Sequence, residues 1–124
     1  MSKLLNLKIL IVEDEPTSVT LLTEGLGDCC NEILVVKDGI EAIKTALKNP
    51  DLNLILMDLK LPKMNGLDAT KKIREFNKKV IIIAQTAYAF PKDEAKAIES
   101  GCNDFISKPI LKEKLLKMIE KYLL

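Results

Sequence analysis

The 124-residue chain contains no histidine. That absence removes Ser-His-Asp and Cys-His catalysis and most zinc sites. It also means that the chain cannot carry a phosphohistidine of its own, so any active chemistry must run on carboxylates, hydroxyls and lysine. Cysteine is scarce: Cys29, Cys30 and Cys102 are odd in number and form no C-x-x-C, the pattern of reduced, mostly buried thiols in a cytoplasmic protein. No apolar stretch approaches the roughly 20 residues that span a bilayer. The start, MSKLLNLKILIVED, does not read as a signal peptide, because Asn6 and Lys8 interrupt the apolar run and acids follow where small residues should stand. An excess of one charge is missing as well: 19 basic and 18 acidic residues leave a net charge of +1, with no bulk field to favour nucleic acid or an anionic membrane. Lys112, Lys114, Lys117 and Lys121 alternate with Glu113 and Glu120 and read as a solvated helix face. No linker, repeat or low-complexity stretch divides the chain, so its length predicts one domain with a single core.

Five short aliphatic runs recur about every two dozen residues: KILIV (8–12), ILVV (33–36), LILM (54–57), VIIIA (80–84) and FI (105–106). They are nearly continuous rather than alternating, which predicts strands buried on both faces of a parallel sheet. Helical spacing lies between them. Val19, Leu22 and Leu26 form one predicted stripe, Ile40, Ile43 and Leu47 a second, and Ala69, Ile73 and Phe76 a third. The last and strongest comprises Leu115, Met118, Ile119, Tyr122 and Leu123. Pro91 to Ser100 is weaker, with Ala95 and Ile98 as its expected inner positions, and should give a more polar, more mobile helix. Pro16 suits a first helical turn, and Asp38 and Asn65 suit N-caps. Strand and helix alternate five times, which argues for a doubly wound α/β domain.

In an open parallel sheet, ligands bind beyond the carboxyl ends of the strands. Glu13 and Asp14 follow the first strand, Asp58 ends the third, Thr86 ends the fourth, and Lys108-Pro109 follows the fifth. Carboxylates about 4 Å apart repel by on the order of 4 kcal/mol per pair at an effective dielectric near 20. Such a cluster is tolerable when one acid protonates or a cation binds. An all-oxygen site with open water positions suits Mg²⁺, and a loop carbonyl just past Asp58 could complete it. Taken alone, Asp58 reads equally well as a cap or a solvated strand end; the company of Asp14, Thr86 and Lys108 singles it out.

The segments ILIVEDE, LILMDLKLPKMNGLDATKKIR, AQTAYA and GCNDFISKPI occur in order and in register, and together they resemble the receiver domain of two-component response regulators. The resemblance covers residues 1–124 as one receiver domain. It implies a flavodoxin-like five-stranded parallel sheet of order 2-1-3-4-5 with helices on both faces. It implies that Asp58 accepts a phosphoryl group from a phosphohistidine of a histidine kinase or histidine phosphotransfer protein, aspartate being a known phosphoryl nucleophile. Asp14, Asp58 and the backbone carbonyl of Lys60 would bind Mg²⁺, with Glu13 acting through a water. Thr86 and Lys108 would contact phosphoryl oxygens, and the bond before Pro109 would be cis, turning Lys108 into the site. Thr86 and Phe105 would be the switch pair, changing the face made by the fourth helix, fifth strand and fifth helix. Lys60 and Tyr88, each two residues past a site residue, would tune the lifetime of the phosphate.

The chain departs from the family pattern in two places. Glu13 stands where aspartate is commoner, one methylene longer, and Phe105 replaces a frequent tyrosine, so that it can pack inward but cannot use a hydroxyl. Phe105 also reads as an ordinary core aromatic, and Tyr88 and Phe90 as cover for the fourth helix. GLGDCC is not a dinucleotide fingerprint, because Cys30 holds the third glycine's place and the segment ends a helix. A flavin site fails because acids line the first loop. An aspartyl phosphohydrolase is disfavoured by Lys60, where a second acid belongs, and by the lack of a cap segment. A degenerate receiver that binds partners without chemistry remains the other alternative. No effector domain is expected after Leu124, and both a stand-alone regulator and part of a hybrid kinase chain stay open.

Overall fold

Near-continuous apolar runs become the centre of a five-stranded parallel sheet of order β2-β1-β3-β4-β5. A computed structural model of the chain describes residues 6–27, 30–87 and 90–124. The elements follow one another as β1 (Lys8–Val12), α1 (Pro16–Leu26), β2 (Glu32–Val36), α2 (Gly39–Lys48), β3 (Leu54–Asp58), α3 (Gly66–Arg74), β4 (Ile81–Thr86), α4 (Pro91–Ser100), β5 (Asp104–Ser107) and α5 (Lys112–Leu123). Successive strand side chains point to opposite faces, so each central strand feeds two cores. Ile9, Ile11, Leu54, Leu56, Ile83 and Ile106 pack with Leu22 and Leu26 of α1 and Leu115 and Ile119 of α5. Leu10, Val12, Ile55, Met57, Ile82 and Ala84 pack with Ala42, Ala46, Ala69, Ile73 and Ala97 from α2, α3 and α4.

Burial on both faces holds for β1, β3 and β4 but not for β2, whose Val35 is exposed. The reason is topological: β2 has a partner on one side only. β4 runs two residues further than the run VIIIA predicts, so Gln85 and Thr86 sit on paired backbone, opposite Ile106 and Ser107 of β5.

The caps behave as expected. Asp38 accepts from the Glu41 amide at 2.8 Å and Asn65 from the Asp68 amide at 2.9 Å, while Pro16 opens α1. Glu15, which the sequence reading passed over, caps α1 by accepting from the Thr17 and Ser18 amides. Two predicted helix faces are corrected. In α2, Ile40 and Leu47 are exposed, and the inward positions are Gly39, Ala42 and Ala46. In α4, Ala95 and Ile98 are exposed, and Ala97 and Ser100 face inward. Phe76 lies beyond the end of α3 and is exposed. Small side chains let these helices approach the sheet closely, which leaves the larger aliphatics on the flanks. The lysines of α5 are exposed, as the alternation with glutamate predicts. No helix among the described residues is long and apolar enough to cross a membrane.

Candidate functional site

The register of the sheet brings the predicted acids together. Val12 pairs with Met57, so the next residues along, Glu13 and Asp58, leave adjacent strands at the same rim. The Glu13 amide still donates to the Val36 carbonyl at 3.0 Å, which holds it as an extension of β1. Its side chain turns into the protein and is fully buried, whereas that of Asp14 stands in solvent. Asp58 is almost completely covered. A carboxylate oxygen from each of Glu13, Asp14 and Asp58 lies within 4.8 Å of the other two.

Lys108 offsets this negative charge. Its amide donates to the Thr86 carbonyl at 2.8 Å, and the Lys108–Pro109 bond is cis. Its ammonium donates to Glu13 Oε1 at 2.6 Å and to Asp58 Oδ2 at 3.1 Å. Burial pushes the Glu13 carboxyl above the ordinary range; the bond from Lys108 opposes that rise and the neighbouring Asp58 adds to it. For Lys108, burial alone would lower the value, but the two carboxylates outweigh it and hold the ammonium above its usual range. Lys108 is therefore the cation built into an acid cluster that would otherwise repel itself.

Asp58 is also fixed from behind. Its Oδ1 accepts from the Lys60 amide at 3.1 Å, and the Leu59 amide donates to the Gln85 carbonyl at 3.2 Å. A Cβ on Gly66 would collide with the backbone carbonyl of Asp58, and the Gly66 amide donates to the Leu59 carbonyl at 3.2 Å. The Asn65-Gly66 turn thus lies directly against the end of β3 at Asp58, and only glycine fits there. Lys63, just before it, has the left-handed φ of 64° and pairs loosely with Asp38 at 3.7 Å.

Thr86 lines a cleft of about 100 Å³ together with Asp58, Lys60, Gln85 and Lys108. Phe105 is half-buried and packs against the core that α2, α3 and α4 share. Tyr88 falls outside the described residues. Glu13, Asp14, Asp58, Lys60, Thr86 and Lys108 therefore gather at one rim, while Phe105 stands one strand away, beside Ala84. The sequence reading missed two neighbours of the site. These are Gly66, which stands only inside a longer motif of the sequence, and Gln85, whose one signal is a lone amide ending the run VIIIAQ. Cys102 is a buried thiol, and burial pushes its value up.

The donors offered by Glu13, Asp14 and Asp58 are all hard oxygens, and one of the acids is open to water, a set that fits a small divalent cation such as Mg²⁺. The chain is 38% identical over 122 residues to hybrid signal transduction histidine kinase G of Dictyostelium discoideum, a match that covers 94% of this chain and 4% of that protein. The chain thus spans only a small part of such relatives. The receiver domain of the sensor histidine kinase PA1611 from Pseudomonas aeruginosa PAO1, solved with a magnesium ion coordinated in its active-site cleft, superposes with a TM-score of 0.84 at 32% identity, covering 94% of this chain and 97% of that one. The receiver domain of Saccharomyces cerevisiae Ssk1, solved in complex with the histidine phosphotransfer protein Ypd1, superposes with a TM-score of 0.87 at 34% identity, over 96% of this chain and 90% of that one. The family model for the response regulator receiver domain matches residues 9–120, and with the sheet order and acidic rim described above this chain belongs to that family, a receiver domain of two-component signalling.

Proposed function

We propose that the chain is a phosphoacceptor switch whose acceptor is Asp58. One observation carries the reading: the Asp58 carboxylate lies beside Glu13 and Asp14, 3.1 Å from the Lys108 ammonium, in a cleft that Thr86 also lines. An Asp58 oxygen would attack the phosphorus of a partner's phosphohistidine; the P–N bond breaks, and the imidazole leaves with the electron pair. Lys108 would then exchange part of its contact with Asp58 for a phosphoryl oxygen, and the Thr86 hydroxyl would donate to another. Asp14, Asp58 and the Lys60 carbonyl would hold Mg²⁺, with Glu13 reaching it through a water, and the ion when bound supplies positive charge to the phosphoryl oxygens.

The phosphoryl donor would be a histidine kinase or histidine phosphotransfer protein, a reading supported by the yeast phosphotransfer complex, and the rest of a hybrid kinase chain is a further candidate. On this reading the domain signals in the cytoplasm, and its only catalysis is its own phosphorylation and dephosphorylation. Closure of Thr86 and the following loop on the phosphoryl group would draw Phe105 inward. The face made by α4, β5 and α5 would thereby change its affinity for a partner, as a shift between existing populations. The side chains of Lys60 and Tyr88 would set the lifetime of the phosphate, and a Lys60→Ala, Tyr88→Ala protein that lost phosphate at the parental rate would refute that role.

Intact-mass spectrometry after incubation with acetyl phosphate tests the acceptor. The parent should gain one phosphoryl group only when Mg²⁺ is present, and Asp58→Asn should gain none. A parent that stays unmodified and also fails to bind beryllofluoride would leave a binding module without chemistry.

A further inference from the structure

The sequence of α4, PKDEAKAIES, offers one large aliphatic residue, Ile98, and that side chain is exposed. Burial can therefore fasten this helix only through small side chains. The two that face inward, Ala97 and Ser100, both lie towards its end, and none of Pro91 to Lys96 is buried. Its companions on the same face of the sheet differ: α2 and α3 are buried from their first residues, Gly39 and Gly66. The first turn of α4 also receives no side-chain cap among the described residues. Beside this half of the helix lies a gap of about 180 Å³, with Asp93 and Lys96 of α4 on its lining and Leu59, Leu67 and Thr86 facing them.

The other end is held. Gly101 closes the helix with a left-handed φ of 114°, and the amides of Gly101 and Cys102 return to the Ile98 and Ala97 carbonyls at 3.0 Å each. Arg74, the last residue of α3, reaches across to this turn with its whole guanidinium. Its Nε donates to the Gly101 carbonyl at 2.8 Å, its Nη2 to Asn103 Oδ1 at 2.8 Å and its Nη1 to the Asn77 carbonyl at 3.1 Å. Asn103 Oδ1 also accepts from the Ile82 amide at 2.9 Å, which ties the same turn to β4. A planar fork satisfied at three points fixes position more firmly than a single ammonium contact does. We propose that α4 is a lever fastened at one end, with Arg74 as the positioning residue of a pivot at Gly101. The Pro91 end swings across the gap while the Ser100 end stays in place, because segments with few buried contacts open at low cost. Thr86 lines both the gap and the acidic cleft, so the swinging end moves against a residue of the site. The motion belongs to the free chain and does not require that Asp58 accept a phosphoryl group.

The test is methyl relaxation dispersion on the chain labelled at alanine and leucine, with neither phosphoryl donor nor metal added, which reads motion on the microsecond to millisecond scale. Exchange at Ala95 and at Leu67 should be about threefold larger than at Ala97, the inward residue nearer the pivot. Arg74→Met keeps the apolar stem and removes every donor, so exchange at Ala97 should rise to the level of Ala95. Arg74→Lys, which keeps the charge and loses the fork, is the gentler variant should Arg74→Met fail to melt cooperatively, and it should raise Ala97 in the same direction. A residue that merely stabilised the fold would lower the melting temperature and leave the gradient along α4 intact. Equal exchange at Ala95 and Ala97 in the parent, or none at either, overturns the proposal. A gradient that survives unchanged in a folded Arg74 variant overturns it as well.

Discussion

A lysine sits among acids at both edges of the sheet, and the two settings differ in one respect. At the edge where the strands begin, Lys8 reaches Asn49 at 2.7 Å, Asp51 at 3.2 Å and Glu32 at 3.9 Å. The side chains of Asp51 and Glu32 are 69% and 50% exposed. At the edge where the strands end, Lys108 reaches Glu13 at 2.6 Å and Asp58 at 3.1 Å, and those side chains are 0% and 8% exposed. The same pairing of groups therefore does two different things. Near solvent, water screens the charges and the cluster is a weak staple across β1, β2 and the loop before β3. Inside, desolvation makes each charge depend on its neighbour, so that loss of one partner leaves the other buried and unpaired. A buried acid cluster that depends on one lysine is a poor way to stabilise a fold and a suitable place for a further cation.

The contrast can be broken most sharply at Lys108. Lys108→Met strands a buried glutamate and should cost about 3 kcal/mol at neutral pH in urea unfolding. A loss no larger than that of the Lys8 variant below would mean that the two edges are equivalent after all. Next in size is Gly66→Ala. The added Cβ has to displace the backbone at Asp58, which should cost about 2 kcal/mol and slow phosphorylation from acetyl phosphate even where the protein stays folded. Full parental rates would show that the turn does not position Asp58 for the proposed phosphorylation.

The opposite edge has its own titrating group. The Tyr122 hydroxyl donates to Asp104 Oδ2 at 2.7 Å, and the Asn103 carbonyl lies 3.1 Å from the same oxygen. Burial first, and then the adjacent carboxylate, push its phenol up to about 12. Because the folded value lies above the unfolded one, its contribution to stability is complete below the unfolded value of about 10 and is lost as pH rises towards 12. Ultraviolet titration should show one late-ionising tyrosine that Asp104→Asn brings back towards its ordinary range; an unmoved titration would remove Asp104 as a cause. Smallest of all, Lys8→Met should change stability by under about 1 kcal/mol, checked in the same urea series.

Much of this arrangement was legible in the sequence for a local reason. A run such as ILIV or LILM announces a buried strand wherever it lies, and a polar residue at its end announces a rim. Asp14, Asp58, Thr86 and Lys108 could therefore be assigned to one edge before any contact was known. The helix faces were harder to read. In α2 the eye follows Ile40, Ile43 and Leu47, but the sheet takes Ala42 and Ala46. In α4 it follows Ile98, but Ala97 and Ser100 turn inward. Hydrophobicity marks which side chains gain from burial, while close packing of a helix on a sheet selects those small enough to permit contact.

By itself the sequence determined the order of strands and helices, the caps at Asp38 and Asn65, and the identity of the groups at the strand ends, because each of these depends on neighbours within a few residues. Only the tertiary structure decided that Glu13 turns inward while Asp14 faces water, that Lys108 spans 95 positions of chain to bind Glu13, and that the Gln85 amide is buried without a hydrogen-bond partner. Those outcomes depend on which loops and helices cover each strand end, and on the desolvation that follows, a property of the assembled sheet that no run of adjacent residues contains.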